Sequence, residues 1–237
     1  MNNTFLVCSD LHIRQHEEKK ISLLINLIET LPPSQELIIA GDLFDIFIGS
    51  LHLMPPWQKD LLNSFKNAKT ARKKIIYVEG NRDFSISQLC NEYFHEVFPQ
   101  NCYKYNGSLL ILHGDKINSK DFLYLCWRAF IKNRFLFAVA SRLPAAFIQK
   151  SAMWLEKNMK KINIKYKNNI PHSAIDQFIN KLPPHVHAVI SGHFHKYIEL
   201  NLKDTKYFAL PCWDEYPNIM KVDLDKHNFS FKLEKLI

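Results

Sequence analysis

AVISGHFH, residues 188–195, runs four mostly apolar residues into a glycine and then places two histidines two apart, His193 and His195. Four other short runs end in the same kind of chemistry. TFLVCSDLH (4–12) leads into Asp10 and His12, and ELIIAGDLFD (36–45) into Asp42 and Asp45. KIIYVEGNRD (74–83) leads into Asn81, Arg82 and Asp83, and SLLILHGD (108–115) into His113 and Asp115. Each run is short, rich in Ile, Val and Leu, and bounded by Gly or Asp, which is the pattern of a buried strand.

Between these runs lie stretches with helical periodicity. KKISLLINLIETL (19–31) has apolar residues at 21, 24, 25 and 28, one helical face, and WQKDLLNSFKNA (57–68) repeats the pattern over fewer turns. Alternating strands and helices imply an α/β architecture whose site lies beyond the carboxyl ends of the strands. All five polar clusters sit there. The last forty residues, with YFALP and IMKVDLDKHNFSFKLEKL, predict further strands and a closing hairpin.

The chain has 237 residues, 47% of them hydrophobic and 13% aromatic, enough for one large domain with a full core. Its five cysteines form no CxxC pair and read as buried thiols of a reducing compartment. The amino terminus lacks the basic start and apolar run of a signal peptide, and no segment approaches the roughly 20 apolar residues that span a bilayer. A cytoplasmic location is expected.

The net charge of +8 is unevenly placed. Between Lys120 and Lys167 stand eleven basic residues and two acidic ones, so this segment holds the entire excess. The same segment carries Phe122, Tyr124, Trp127, Phe130, Phe135, Phe137, Phe147, Trp154 and Tyr166, with no strand pattern. We read 118–170 as a helical cap inserted into a single domain spanning 1–237, with Pro144 breaking one helix from the next. Basic and aromatic residues together suit an anionic lipid surface or a nucleic acid.

Asp10-x-His12 and His193-x-His195 place paired side chains on one side of an extended chain, because side chains alternate along a strand. With Asp42, Asn81 and His113, seven oxygen or nitrogen ligands converge from five strand ends. Two divalent ions roughly 3.5–4 Å apart, sharing one carboxylate, would use such a set. Ligands of N and O without thiolate favour Mn, Fe or Zn over a soft metal. Gly41, Gly80, Gly114 and Gly192 adjoin these residues and are expected to make the turns. Asp45, Asp83 and Asp115 are expected to orient ligands rather than bind metal.

The set D-L-H, G-D-L-F-D, G-N-R-D, H-G-D and G-H-F-H resembles the calcineurin-like metallophosphoesterases. The resemblance implies a four-layer αββα sandwich with a dimetal centre at one edge. It implies that Asp10, His12, Asp42 and His195 hold one metal and Asp42, Asn81, His113 and His193 the other, with Asp42 bridging. Asp42, Asn81, Arg82 and His113 would be catalytic, and water activated at the metals would be the nucleophile.

Most members have histidine where this chain has Arg82, and that histidine is thought to protonate the leaving oxygen. Arginine cannot, its pKa lying above ~12. A leaving phosphate, with its second pKa near ~6, needs no acid. Arg82 therefore fits a pyrophosphate substrate, whose developing charge it would stabilise.

Within the superfamily, G-N-R-D-F, H-G-D and a helical insertion resemble the UDP-2,3-diacylglucosamine diphosphatases of lipid A biosynthesis. That resemblance implies hydrolysis of UDP-2,3-diacylglucosamine to UMP and 2,3-diacylglucosamine 1-phosphate (lipid X), two Mn²⁺ with Fe, Zn or Mg as alternatives, and no nucleic acid. It implies substrate contacts from Asn81, Arg82, Asp121, Asn163 and His193. It also implies a cap lying against anionic lipid on the inner face of the inner membrane. Glu156 and KNMKKINIKYKNN (157–169) depart from the family's cap pattern. Another calcineurin-like activity (nucleotide phosphodiesterase, phosphatase or nuclease) is the alternative.

Overall fold

The computed structural model describes residues 3–104, 107–120, 122–151, 154, 170–225 and 228–237. Asp121, Asn163 and Glu156 lie outside them. The five apolar runs are all strands: β1 (Asn3–Cys8), β2 (Glu36–Ile39), β4 (Lys74–Val78), β8 (Leu109–Leu112) and β9 (Ala188–Ser191). The first three belong to a six-stranded sheet of order β13-β12-β1-β2-β4-β6, which adds β6 (Glu96–Phe98) and the hairpin β12 (Asn218–Asp225) and β13 (Asn228–Lys235). The other two belong to a five-stranded sheet of order β10-β11-β9-β8-β7, with β7 (Asn101–Lys104), β10 (Ile198–Leu202) and β11 (Thr205–Ala209). A two-residue pair, β3 (Phe47–Ile48) and β5 (Asp83–Phe84), ties the loops after β2 and β4 together.

Strict alternation along each strand builds four layers. Phe5, Val7, Ile38, Ala40, Ile76 and Val78 face inward from the first sheet and meet Leu109, Ile111, Ala188, Ile190 and Phe208 of the second. The intervening residues Leu37, Ile39, Ile75 and Tyr77 pack outward on Leu24 and Ile28 of α1 (Glu18–Thr30) and on Leu61 and Phe65 of α2 (Pro56–Thr70). On the other side, Leu110, Leu112, Val189 and Tyr207 pack on Ile175 and Ile179 of α6 (His172–Ile179). A strand buried on both faces has no polar side, which is why these strands read as continuous apolar runs.

Among the smaller helices are α3 (Cys90–Tyr93) beside α2, then α4 (Phe122–Ile131) and α5 (Arg134–Ala140). Asn133 caps α5, its side-chain oxygen accepting from the Phe135 and Leu136 amides at 2.8 and 3.4 Å. A further helical stretch at 145–151 begins directly after Pro144, where the proline fixes the first turn.

The short strands β3, β5 and β6, of two or three residues, show no period in the sequence, and β7, as long as β2, lacks its apolar run because only Cys102 in it is buried. The cysteine reading also needs correction. Cys8, Cys102 and Cys212 are buried, but Cys90 is half-buried and Cys126 is exposed on α4.

Candidate metal centre

β1, β2 and β4 run parallel, as do β8 and β9, so their carboxyl ends gather along one edge of the sandwich. Backbone bonds then lace the loops together. The Asp10 amide donates to Gly41 O at 3.1 Å, His12 to Asp42 O at 3.0 Å, and Gly192 to His113 O at 2.8 Å. The Trp213 amide closes the rim on Asp10 O at 3.1 Å.

The turns are made differently from the expectation. Of the four glycines beside the site, Gly41 and Gly114 are left-handed, with φ of 89° and 108°. Five of the polar residues at the site are left-handed as well: Asp10 (52°), His12 (47°), Asp42 (55°), His193 (71°) and His195 (59°). Non-glycine residues held there store strain of order 1–3 kcal/mol each, a concentration typical of functional sites. Gly192 serves by absence: a Cβ there would stand 1.9 Å from Ser9 Oγ and 2.2 Å from Asp10 Oδ2.

All seven residues with metal-ligating chemistry converge. His12 Nε2 and His195 Nε2 lie 3.3 Å apart, with Asp10 Oδ1 at 3.6 and 3.2 Å from them. On the other side, Asn81 Oδ1 lies 2.8 Å from His113 Nε2 and 3.1 Å from His193 Nδ1. Asp42 stands between these groups. Its Oδ2 is 3.6 Å from His113 Nε2, and ligand atoms of Asp10, Asp42 and His113 all fall within 4.8 Å of one another.

The electrostatics suit bound cations. Burial pushes His193 down to about 4 and His12 below its ordinary value, leaving neutral imidazoles with lone pairs to offer. Burial also works against a charge on His113, but Asp42, Asp10 and Asp115 outweigh it and raise that group. Burial is the largest single influence on Asp10 and pushes it up, yet His113, His12 and His195 together hold it well below the usual carboxylate range. These carboxylates demand positive charge at the centre. Asp10 Oδ1, which faces His12 Nε2 and His195 Nε2, is buried without a hydrogen-bond partner, and a buried orphan acceptor costs about 1–3 kcal/mol unless something satisfies it. The donor set fits two divalent ions.

A sequence profile of the calcineurin-like phosphoesterases matches residues 4–197, spanning every one of these residues. The chain belongs to that family. Its curated relatives include proteins named UDP-2,3-diacylglucosamine hydrolase. One from Vibrio vulnificus is 27% identical, covering 96% of this chain and 97% of its own. Another from Histophilus somni is 26% identical, covering 97% and 100%. Among solved structures, an archaeal phosphodiesterase superposes with a TM-score of 0.47 at 14% identity, covering 98% of this chain and 99% of that one. Vacuolar protein sorting 29 from Cryptosporidium parvum gives 0.49 at 13%, covering 99% and 97%. The chain is a metal-dependent hydrolase of the calcineurin-like class, and that class implies a dimetal centre.

Around the phosphoesterase centre stands a shell of supports, only part of it expected. Asp83 Oδ2 accepts from the Asp42 and Gly80 amides at 3.0 and 2.6 Å, fixing both loops at once. Asp45 Oδ1 lies 3.2 Å from Arg82 Nη1 and 3.6 Å from His12 Nδ1, while its Oδ2 takes Arg14 Nε at 2.6 Å. Arg82 itself is seated on Asp42, its amide donating to Oδ1 at 2.9 Å and its Nε 3.6 Å from Oδ2. Ser9, Arg14 and Asp214 belong to this shell without a motif to mark them. Ser9 Oγ lies 2.7 Å from both Asp10 Oδ2 and Ala40 O, and a serine before D-x-H was the only cue. Arg14 meets Asp214 across two hundred residues, a pairing no local pattern reveals.

The helices at 122–151 expose large apolar side chains. Phe122 is 72% exposed and Phe135 74%, and Phe130, Phe147 and Trp154 are exposed as well. No helix among the described residues is long and apolar enough to cross a membrane.

Proposed function

We propose that this phosphoesterase hydrolyses the pyrophosphate bond of UDP-2,3-diacylglucosamine, giving UMP and 2,3-diacylglucosamine 1-phosphate. The observation that carries the reading is Arg82, a permanent cation seated beside Asp42 where a phosphomonoesterase or diesterase needs an acid. Relatives named for this substrate, alike over nearly their whole length, support it.

In this reading Asp10, His12, Asp42 and His195 would hold one Mn²⁺, and Asp42, Asn81, His113 and His193 the other. When bound, the pair supplies Lewis acidity toward the phosphoryl group and lowers the pKa of water toward about 7. Water adds to the uridylyl phosphorus, the bridging P–O bond breaks, and the diacylglucosamine phosphate leaves with the electron pair. Arg82, its guanidinium aimed by Asp45, takes the charge growing on the phosphates. Asn81, Arg82, Asp121, Asn163 and His193 contact the substrate.

The cap, 118–170, receives the acyl chains and lies on the cytoplasmic face of the inner membrane, with Phe122, Phe135 and Phe147 toward lipid. A basic residue near an anionic surface adds about 1 kcal/mol.

The test is hydrolysis of UDP-2,3-diacylglucosamine in detergent with Mn²⁺, following UMP and lipid X, with bis-p-nitrophenyl phosphate alongside. Rapid conversion lost with EDTA supports the reading. Activity on the generic diester alone discards the lipid nucleotide and leaves another calcineurin-like activity. Asp42→Ala is expected to abolish both while the circular dichroism of the fold survives. Substantial residual hydrolysis would remove the bridging assignment.

A further inference from the structure

We infer that helix α4 holds one half of the metal centre and not the other, with Lys132 and Arg128 as the positioning residues. The inference rests on the two-metal reading above and is independent of the lipid-nucleotide substrate.

The two halves are braced by different parts of the chain. Asp10, His12 and His195 are fixed from the sheets' own loops. Asp10 Oδ2 takes Ser9 Oγ and the His193 amide at 2.7 and 2.8 Å, and Asp10 O takes the Trp213 amide. Asp45 backs His12, and the Cys212 amide donates to His195 O at 3.4 Å.

The Asn81 and His113 half is reached from α4. Arg128 Nε donates to Asp115 Oδ2, two residues after His113. One turn later, on the residue that follows α4, Lys132 Nζ donates to Gly80 O, the carbonyl of the peptide that leads into Asn81, and lies 3.9 Å from Glu79 Oε2. Residues four apart share a helix face, so the two cations form one latch.

Both heads turn inward although the neighbourhood offers water. The Lys132 and Arg128 side chains are 13% and 10% exposed, whereas Phe130 between them is 59% exposed. A surface lysine normally lets its ammonium reach solvent. Placing two cations near a site for two dications is electrostatically unfavourable. What they supply is therefore position: Lys132 fixes the Gly80 carbonyl and so the Asn81 side chain, and Arg128 fixes the turn carrying His113.

The sign of the effect separates position from charge. If the cations act only through their field, removing one tightens Mn²⁺ binding; if they position ligands, removing one weakens it at one site.

The experiment is calorimetric titration of Mn²⁺ into metal-stripped protein. Lys132→Met and Arg128→Met are each expected to weaken one of two binding steps by about 10–100-fold, the usual effect of losing an outer support, and to leave the other unchanged. Lys132→Arg, which keeps a donor, is expected to restore the weakened step. Bis-p-nitrophenyl phosphate hydrolysis should then require more Mn²⁺ while KM at saturating Mn²⁺ stays put. Unchanged or tighter binding overturns the inference, and so does equal weakening of both steps.

Should the variants not fold, hydrogen exchange of the native chain decides. Amides of 79–83 and 122–131 should gain protection with one equivalent of Mn²⁺ and not with the other, since coupling is reciprocal. Equal protection at both equivalents, or none, overturns it. A native chain that binds fewer than two ions overturns the two-metal reading and this inference with it.

Discussion

Gly192 has no side chain, and the volume one would occupy is filled by Ser9 and Asp10. A methyl there would meet Ser9 Oγ at 1.9 Å and Asp10 Oδ2 at 2.2 Å, both in buried, hydrogen-bonded positions. Gly192→Ala must therefore move Asp10 away from His12 and His195. We expect destabilisation of about 1–3 kcal/mol by urea unfolding, with Mn²⁺ affinity reduced about 10–100-fold by calorimetry. Native values on both would show that the loop yields freely. Arg82 carries a second prediction, about chemistry rather than space. Arg82→His would set an acid where the arginine stands, so the ratio of diphosphate to phosphodiester or phosphomonoester hydrolysis should fall. An unchanged ratio would remove the leaving-group argument. At this scale the sequence showed which residue types gather, because D-x-H and H-x-H betray themselves. It did not show that Asp10, His12, Asp42, His193 and His195 would carry left-handed backbone, which is imposed by the loops bonding to one another.

Elements are held in place by contacts far apart in the chain, and α1 is the plainest case. Its first turn is bound through Lys20 to Asp214, in the loop after β11, and Asp214 also takes Arg14 Nη2 at 2.9 Å. Burial pushes the Asp214 carboxyl up, but Arg14 and Lys20 outweigh it and hold the group well below the usual range. A depressed folded pKa contributes stability that is present above the unfolded value near ~3.9 and lost as pH falls through the folded one. Asp214→Asn lacks that contribution at neutral pH. The difference in unfolding free energy between native and variant chains should therefore be largest at pH 7 and shrink below about pH 4. It should be modest, because these side chains are partly open to water. A gap that widens in acid would contradict the assignment. The elements themselves divide by burial and length. Strands β1, β2, β4, β8 and β9 were legible because both faces are buried, and α1 because its apolar face repeats over three turns. β3 and β5 are two residues each and exist only because the loops of Asp42 and Asn81 meet.

Across the whole molecule, the sandwich is well covered and the helices at 122–151 are not. The sequence located that asymmetry, placing the charge excess and nine aromatics in one segment. It could not give the direction of each side chain. Arg128 and Lys132 turn inward onto Asp115 and the Gly80 carbonyl, whereas Lys120, Arg142 and Lys150 are exposed alongside Phe122, Phe135 and Phe147. Exposed aromatics among outward cations match the chemistry of an anionic lipid surface, since rings enter the acyl boundary while cations meet the headgroups. Burying one Phe is worth about 1.5–3 kcal/mol, or roughly tenfold or more in partition. Phe135→Ser with Phe147→Ser should therefore lower sedimentation with phosphatidylglycerol vesicles by about a hundredfold or more, if each ring enters independently. Neither side chain belongs to the metal centre, so hydrolysis of bis-p-nitrophenyl phosphate in detergent-free buffer should stay at the native rate. A native chain that does not bind these vesicles, or binding that survives both substitutions, would remove the proposed lipid contact through these rings. Diester hydrolysis that falls with it would mean these rings support the centre rather than face lipid.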